Sequence, residues 1–163
     1  MRSDIPYAAN VQDKDPLEVI RTTVGHITAM IEGLSEEQLL ENPEPGKWSI
    51  HQIVAHLADC ELVFQCRARM ILFEDMPAIQ PFDQDRWANG WAREKETFAQ
   101  SFERFQVMRG ATIRLFENTP PHDLKRLGNN LERGPQEAGD YPIIMAGHDI
   151  NHLRGLQARL QPQ

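Results

Sequence analysis

At 163 residues, with 40% hydrophobic and 25% charged residues, the chain has the size and composition of one soluble globular domain covering residues 1–163. A net charge of -7 without any Lys/Arg cluster argues against nucleic acid and anionic membranes as partners, since both need a positive face. No apolar run reaches membrane-span length, "MRSDIPYAANVQDKDP" lacks a signal-peptide core, and Cys60 and Cys66, about 120° apart on a helix, cannot bridge each other, so a cytoplasmic protein without disulfides is expected.

In chain order, the first helix is predicted over 16–33. Asp15 is a good N-cap, Pro16 suits the first helical position, and Glu18 stands at capping-box spacing. Leu17, Ile20, Val24, Ile27 and Ile31 recur at helical intervals. "SEEQLLEN" reads as a short helix capped by Ser35, and "PEPGK" breaks the chain. A second long helix starts at Ser49, with Gln52 three residues on, and runs to Glu74 behind the stripe Ile50, Ile53, Val54, Leu57, Phe64, Ala68, Ile71 and Leu72. "MPAIQPFDQD" is a loop. A third helix is predicted from Asp85 to Asn118, with Trp87, Trp91, Phe98, Phe102, Phe105, Thr112 and Phe116 on one core-facing side. "TPPHDLKRLGNNLERGPQEAGDYP" is rich in breakers and is assigned no helix. The last helix is predicted over 142–160. No alternating stretch argues for a sheet, so four amphipathic helices predict an all-α helix bundle.

The last helix carries "HDINH", residues 148–152. Histidines four apart lie on one helix face, so His148 and His152 can reach one small ion, or form a surface or capped pair. Gly155 follows one turn later, where either a substrate or another helix could approach closely. A catalytic zinc-type site takes three protein ligands. His122 falls in the Pro-rich loop, His51 faces away from the apolar stripe and is expected to be solvated, and His26 lies off the apolar face. His56 flanks the stripe of the second helix, with Cys60 one turn on, and reads either as a ligand or as a boundary histidine satisfied by a hydrogen bond. Glu61 falls inside that stripe, where a charge needs a partner. It orients a ligating imidazole, or it pairs with an arginine, or the helix rotates there.

"PGKWSIHQIVAHLADCELVFQCRARMIL", with Trp48-Ser49-Ile50, "HLAD" at 56–59, Glu61 and Arg67, together with "PFDQDRWA" and "GHDINHLRGLQ", resembles the DinB-like, also called YfiT-like, superfamily of metalloenzymes. The resemblance covers residues 16–160. It implies an up-down-down-up four-helix bundle, metal ligands His56, His148 and His152, zinc or nickel with waters in the remaining positions, and a homodimer. Relatives often carry a Gln soon after the last histidine; here Arg154 and Gly155 stand there and Gln157 is nearest. "GNNLERGPQEAGD" is individual to this chain, so no substrate carries over.

A three-histidine site implies a metal-dependent enzyme acting on a small molecule. Two readings stand: a hydrolase working through acidified water, or, as the resemblance implies for some members, transfer or isomerisation using a low-molecular-weight thiol. Asp149 invites comparison with H-E-x-x-H proteases, but it is one methylene short and reads as solvated or as a support to a ligand. Glu61 is a candidate base. Cys60 reads as inert packing before it reads as a nucleophile. The rival from another class is a non-enzymatic helix-bundle dimer with a structural or vestigial metal site.

Overall fold

The structure, a computed structural model, describes residues 5–90 and 95–160. A short N-terminal helix, α1 (Ala8–Val11), precedes α2 (Pro16–Ile31), α3 (Glu36–Leu40) and α4 (Ile50–Phe73). After β1 (Ala78–Ile79) come α5 (Gln84–Ala88), α6 (Phe98–Glu117), a single 3-10 turn at Asp123–Lys125, β2 (Leu127–Asn130), β3 (Gly134–Glu137) and α7 (Asp140–Leu160). Among the described residues no helix is long and apolar enough to cross a membrane.

Local chemistry sets the helix starts. Asp15 accepts from the Leu17 amide, while Glu18 turns outward to Arg21 instead of closing a capping box. Ser35 with Gln38 and Ser49 with Gln52 form reciprocal capping boxes, each satisfying backbone donors that the helix cannot. The same device corrects the prediction of one helix over 85–118. Thr97 is extended and forms a capping box with Gln100, so α6 begins afresh at Phe98, and α5 stops at Ala88. Trp87 lies outside the core, 43% exposed, with its ring against Phe82. Trp91 falls outside the described residues. From Phe98 onward the aromatic side is core, with Phe105, Thr112 and Phe116 buried.

α2, α4, α6 and α7 form the bundle. Two clusters fix their directions. Ile20, Ala68, Ile71, Phe116, Tyr141 and Met145 meet at one end; Ile27, Ile50, Val54, Leu57, Phe105 and Leu156 meet at the other. The N-terminal parts of α2 and α7 thus share an end with the C-terminal parts of α4 and α6. That is an up-down-down-up order, in which α4 packs chiefly on α6 and α2 on α7. It requires a long crossover between α4 and α6.

The expectation of no sheet is corrected. β1 pairs parallel with β2, and β2 antiparallel with β3, with Leu127 opposite Glu137 and Asn130 opposite Gly134. "LGNN" and "GPQE" are poor strand formers by composition, and Pro135 is tolerated because β3 is an edge strand. The sheet is held by its seat on α4. A Cβ on Gly128 would stand 2.6 Å from Ile71 Cγ1, so only glycine lets the strand approach that closely.

The N-terminal segment docks on α7 in the same way. A Cβ on Gly147 would stand 2.2 Å from the Tyr7 carbonyl oxygen, and Asn10 donates to the Gly147 carbonyl at 3.0 Å. Gly147→Ala is therefore expected to lower stability by about 1–3 kcal/mol, overriding alanine's better helix propensity, and to expose residues 5–12 to protease. Urea unfolding and limited proteolysis read both effects. An unchanged or raised midpoint would show that the segment yields freely.

Candidate metal centre

His56 stands on α4, and His148 and His152 on successive turns of α7. The antiparallel packing of these helices brings the His56 ring against His148, with His152 beside His148 on the same face of α7 and its ring centroid 5.2 Å from that of His56. His148 Nε2 lies 3.1 Å from His56 Nε2 and 3.1 Å from His152 Nε2. Bonds of about 2.05 Å at a tetrahedral angle place two ligand nitrogens about 3.3 Å apart, so these spacings suit one common ion. His56 and His148 are buried, and His152 is half-buried. Trp48 tilts against His56 at 4.9 Å between ring centroids, and Tyr7 meets His148 edge-on at 5.4 Å. These contacts hold the rings in place.

Burial decides the charge of the rings. Desolvation, aided by the neighbouring His152, pushes His56 down to about 3. His148 is held well below the ordinary histidine range by the same cause, and His152 is also lowered by burial. All three are neutral at pH 7, with lone pairs free for an ion. The sign for stability follows. The unfolded chain takes up protons below about 6.5 where the folded chain resists, so the metal-free protein is expected to lose stability as pH falls from about 6.5 toward 3. Urea midpoints between pH 8 and 4 test this against His56→Gln, which should flatten the lower part of the profile. An identical slope in that variant would refute it.

Cys60, one turn after His56, places its Sγ 3.5 Å from His56 Nε2. One donor atom each from His56, Cys60 and His148 lie within 4.8 Å of one another, so the thiol borders the same point. Burial first, and then the nearby carboxylates of Asp59, Glu61 and Asp149, push that thiol up, so at neutral pH it is protonated and a poor nucleophile.

Beneath the histidines lies a buried charge network. Arg109 donates from Nε to Glu61 at 2.6 Å, from Nη1 and Nη2 to Asp149 at 2.6 and 3.1 Å, and from Nη1 to the Ile20 carbonyl at 2.8 Å. Thr112 donates to the other Glu61 oxygen, and Thr23 to Asp149. Burial pushes the Glu61 carboxyl up, while the Arg109 charge and the Thr112 hydrogen bond pull it back. Glu61 thus takes the second of its two readings, an ion pair with an arginine, and both its oxygens are engaged. Asp149, 1% exposed, is not solvated. Arg109 is not among the residues singled out by spacing, yet it carries a signal: it continues the aromatic stripe at four residues from Phe105 and three from Thr112.

The remaining expectations divide. His51 is buried rather than solvated, its Nε2 3.1 Å from Ser101 Oγ. His26 and His122 are exposed and away from the cluster. A Cβ on Gly155 would meet nothing, so no helix packs closely there, and Gln157 is exposed. A pocket of about 350 Å³ opens onto His148 and Cys60 between Tyr7, Phe64, Arg67 and Arg133. A roomier groove of about 960 Å³ between Trp87 and Arg104 has no histidine in its lining.

A Geobacillus thermodenitrificans protein named "Putative metal-dependent hydrolase" is 37% identical over 75 residues, covering 46% of this chain and 42% of its own, so the chain spans less than half of that relative. An Oceanobacillus iheyensis protein of like name is 27% identical over 120 residues, covering 74% and 69%. The fold is similar to that of YfiT from Bacillus subtilis, described as "a probable metal-dependent hydrolase with an unusual four-helix bundle topology", with a TM-score of 0.77 over 88% of this chain and 85% of that one at 22% identity. The DinB superfamily model matches residues 20–156, which hold α4 and α6 whole, most of α2 and α7 and all three clustered histidines, and the chain belongs to that superfamily.

Proposed function

We propose that this protein is a divalent-metal-dependent enzyme of hydrolase type, with the ion held by His56, His148 and His152. The observation that carries this is the convergence of three neutral imidazoles, 3.1 Å from one to the next, beside a pocket. The names of the relatives, metal-dependent hydrolases, support the same reading. Zinc or nickel suits an imidazole donor set. Held there by three neutral ligands, the ion would supply Lewis-acid chemistry, acidifying water and polarising a carbonyl or phosphoryl oxygen.

The chain's own residues supply the rest. Burial keeps the imidazoles unprotonated, and Trp48 and Tyr7 hold two of the rings in place. Glu61 and Asp149 are committed to Arg109, so neither is free to take a proton from a substrate; they stiffen the floor instead. The aromatic wall of Tyr7 and Phe64 dries one side of the pocket, which strengthens electrostatic interactions within it.

The test is elemental analysis of untagged protein, followed by ester, amide and phosphoester screens before chelation, after chelation and after metal return. The expected result is about one zinc or nickel per chain, with a hydrolytic activity that chelation abolishes and metal restores. Activity requiring an added low-molecular-weight thiol would move the assignment to transfer. Cys60→Ala is expected to retain its metal; loss there would mean a site closed by a fourth protein ligand, and a structural role.

A further inference from the structure

Four residues of α4 lie along one side at spacings of four, four and three: His56, Cys60, Phe64 and Arg67. Arg67 follows Cys60 by two turns, about 10 Å along the helix. Cys60, Phe64 and Arg67 all line the pocket that opens onto His148. Arg67 is half-buried, and burial works against its charge. Its Nη2 donates to the Gln80 carbonyl, and the guanidinium lies over the Phe82 ring, 5.5 Å from its centroid. Among the described residues no carboxylate stands within ion-pair distance of it, although Glu132 attracts it across the pocket, and only Nη2 has a hydrogen-bond acceptor there. Arg133, exposed at the turn between β2 and β3, lines the same pocket and adds a second positive charge near the first. Exposed Glu132 offsets part of that repulsion, and an anion seated between the two guanidinium groups would offset more.

Two acids also line the pocket. Asp83 caps α5 by accepting from the Arg86 amide at 2.9 Å, and Glu132 is exposed. They leave Arg67 as the half-buried charge, and they disfavour a dianion. A singly charged carboxylate matches the free edge of one guanidinium. The apolar part of the lining, Tyr7, Phe64, Phe82 and Ile144, suits a hydrocarbon or aromatic body.

We propose that this pocket takes a small monocarboxylate, with the carboxylate docked on Arg67 and Arg133 and the body lying along Phe64 and Phe82 toward the histidines. The inference rests on the functional reading above for which end of the ligand reacts. Arg67 is then a specificity-determining residue, selecting acids over their neutral analogues.

The experiment is calorimetric titration with 3-phenylpropanoate and, as its uncharged counterpart, 3-phenylpropanamide. Both are titrated into zinc-loaded protein, chelator-stripped protein and His148→Ala. The acid is expected to bind at least about tenfold more tightly than the amide in all three. Arg67→Gln should abolish the preference, and Arg133→Gln, a surface change that leaves the fold undisturbed, should reduce it about threefold. A preference that disappears on stripping yet survives in both arginine variants would place the carboxylate at the histidines; that overturns this proposal and leaves the metal reading standing. Equal binding of acid and amide, or binding of neither, also overturns it. A preference that persists in a protein found to carry no metal would uphold the arginine site while the metal reading failed.

Discussion

Arg109→Met is expected to remove about 3–5 kcal/mol of folding stability. The guanidinium is 2% exposed and serves Glu61, Asp149 and the Ile20 carbonyl together, joining α6 to α4, α7 and α2. Without it two carboxylates are left in the core with only Thr112 and Thr23 as donors. Burial raises the cost of an ionised carboxylate far more than a threonine hydroxyl offsets. The variant Arg109→Met/Glu61→Gln/Asp149→Asn, which removes all three charges, should recover much of the loss, because the penalty comes from uncompensated charge rather than from missing volume. Urea unfolding of the metal-free proteins measures both. A loss below about 1 kcal/mol for the single variant would mean that water or a proton readily replaces the guanidinium.

His148→Ala is expected to strip the metal, from about one ion per chain to below about a tenth, with helical content retained. His148 Nε2 is the middle nitrogen, 3.1 Å from each of the other two, so its removal leaves His56 and His152 on separate helices without the shared donor. His152→Ala should do the same, since the remaining pair cannot satisfy a site needing three protein ligands. Elemental analysis with far-UV circular dichroism decides the matter: stoichiometric metal in both variants would place any ion elsewhere. The Arg109 network joins the four bundle helices and is expected to act on folding, whereas the histidine cluster, of which His148 reaches the pocket, is expected to act on metal content.

Much of this was legible from local spacing. The stripes of α2 and α4 and the caps at Asp15, Ser35 and Ser49 fall where the pattern put them. The break before α6 is readable in Thr97 and Gln100, but the aromatic stripe masks it, because the periodicity runs on across Glu96 and Thr97, which are not helical. The sheet left almost no local trace. Its strands contain Gly128, Asn129, Asn130 and Pro135, and they pair because Ile71 and the neighbouring strands receive them. His51 was misplaced for a related reason: it faces away from its own helix's apolar stripe, yet Ser101 on α6 covers it.

By itself, then, the sequence determined four amphipathic helices, their capped starts, and the stacking of His148 over His152. Each of these depends on contacts within about four residues, and helix geometry sets them. Only the tertiary structure decided that His56 meets His148 across 92 residues, that Arg109 stands between Glu61 and Asp149, and that Arg67 and Arg133 share one pocket. Local periodicity specifies the angle of a side chain about its own helix axis. Which faces turn toward each other, and at what height, is set by the interlocking of whole cores, and that belongs to the packed bundle rather than to any one segment.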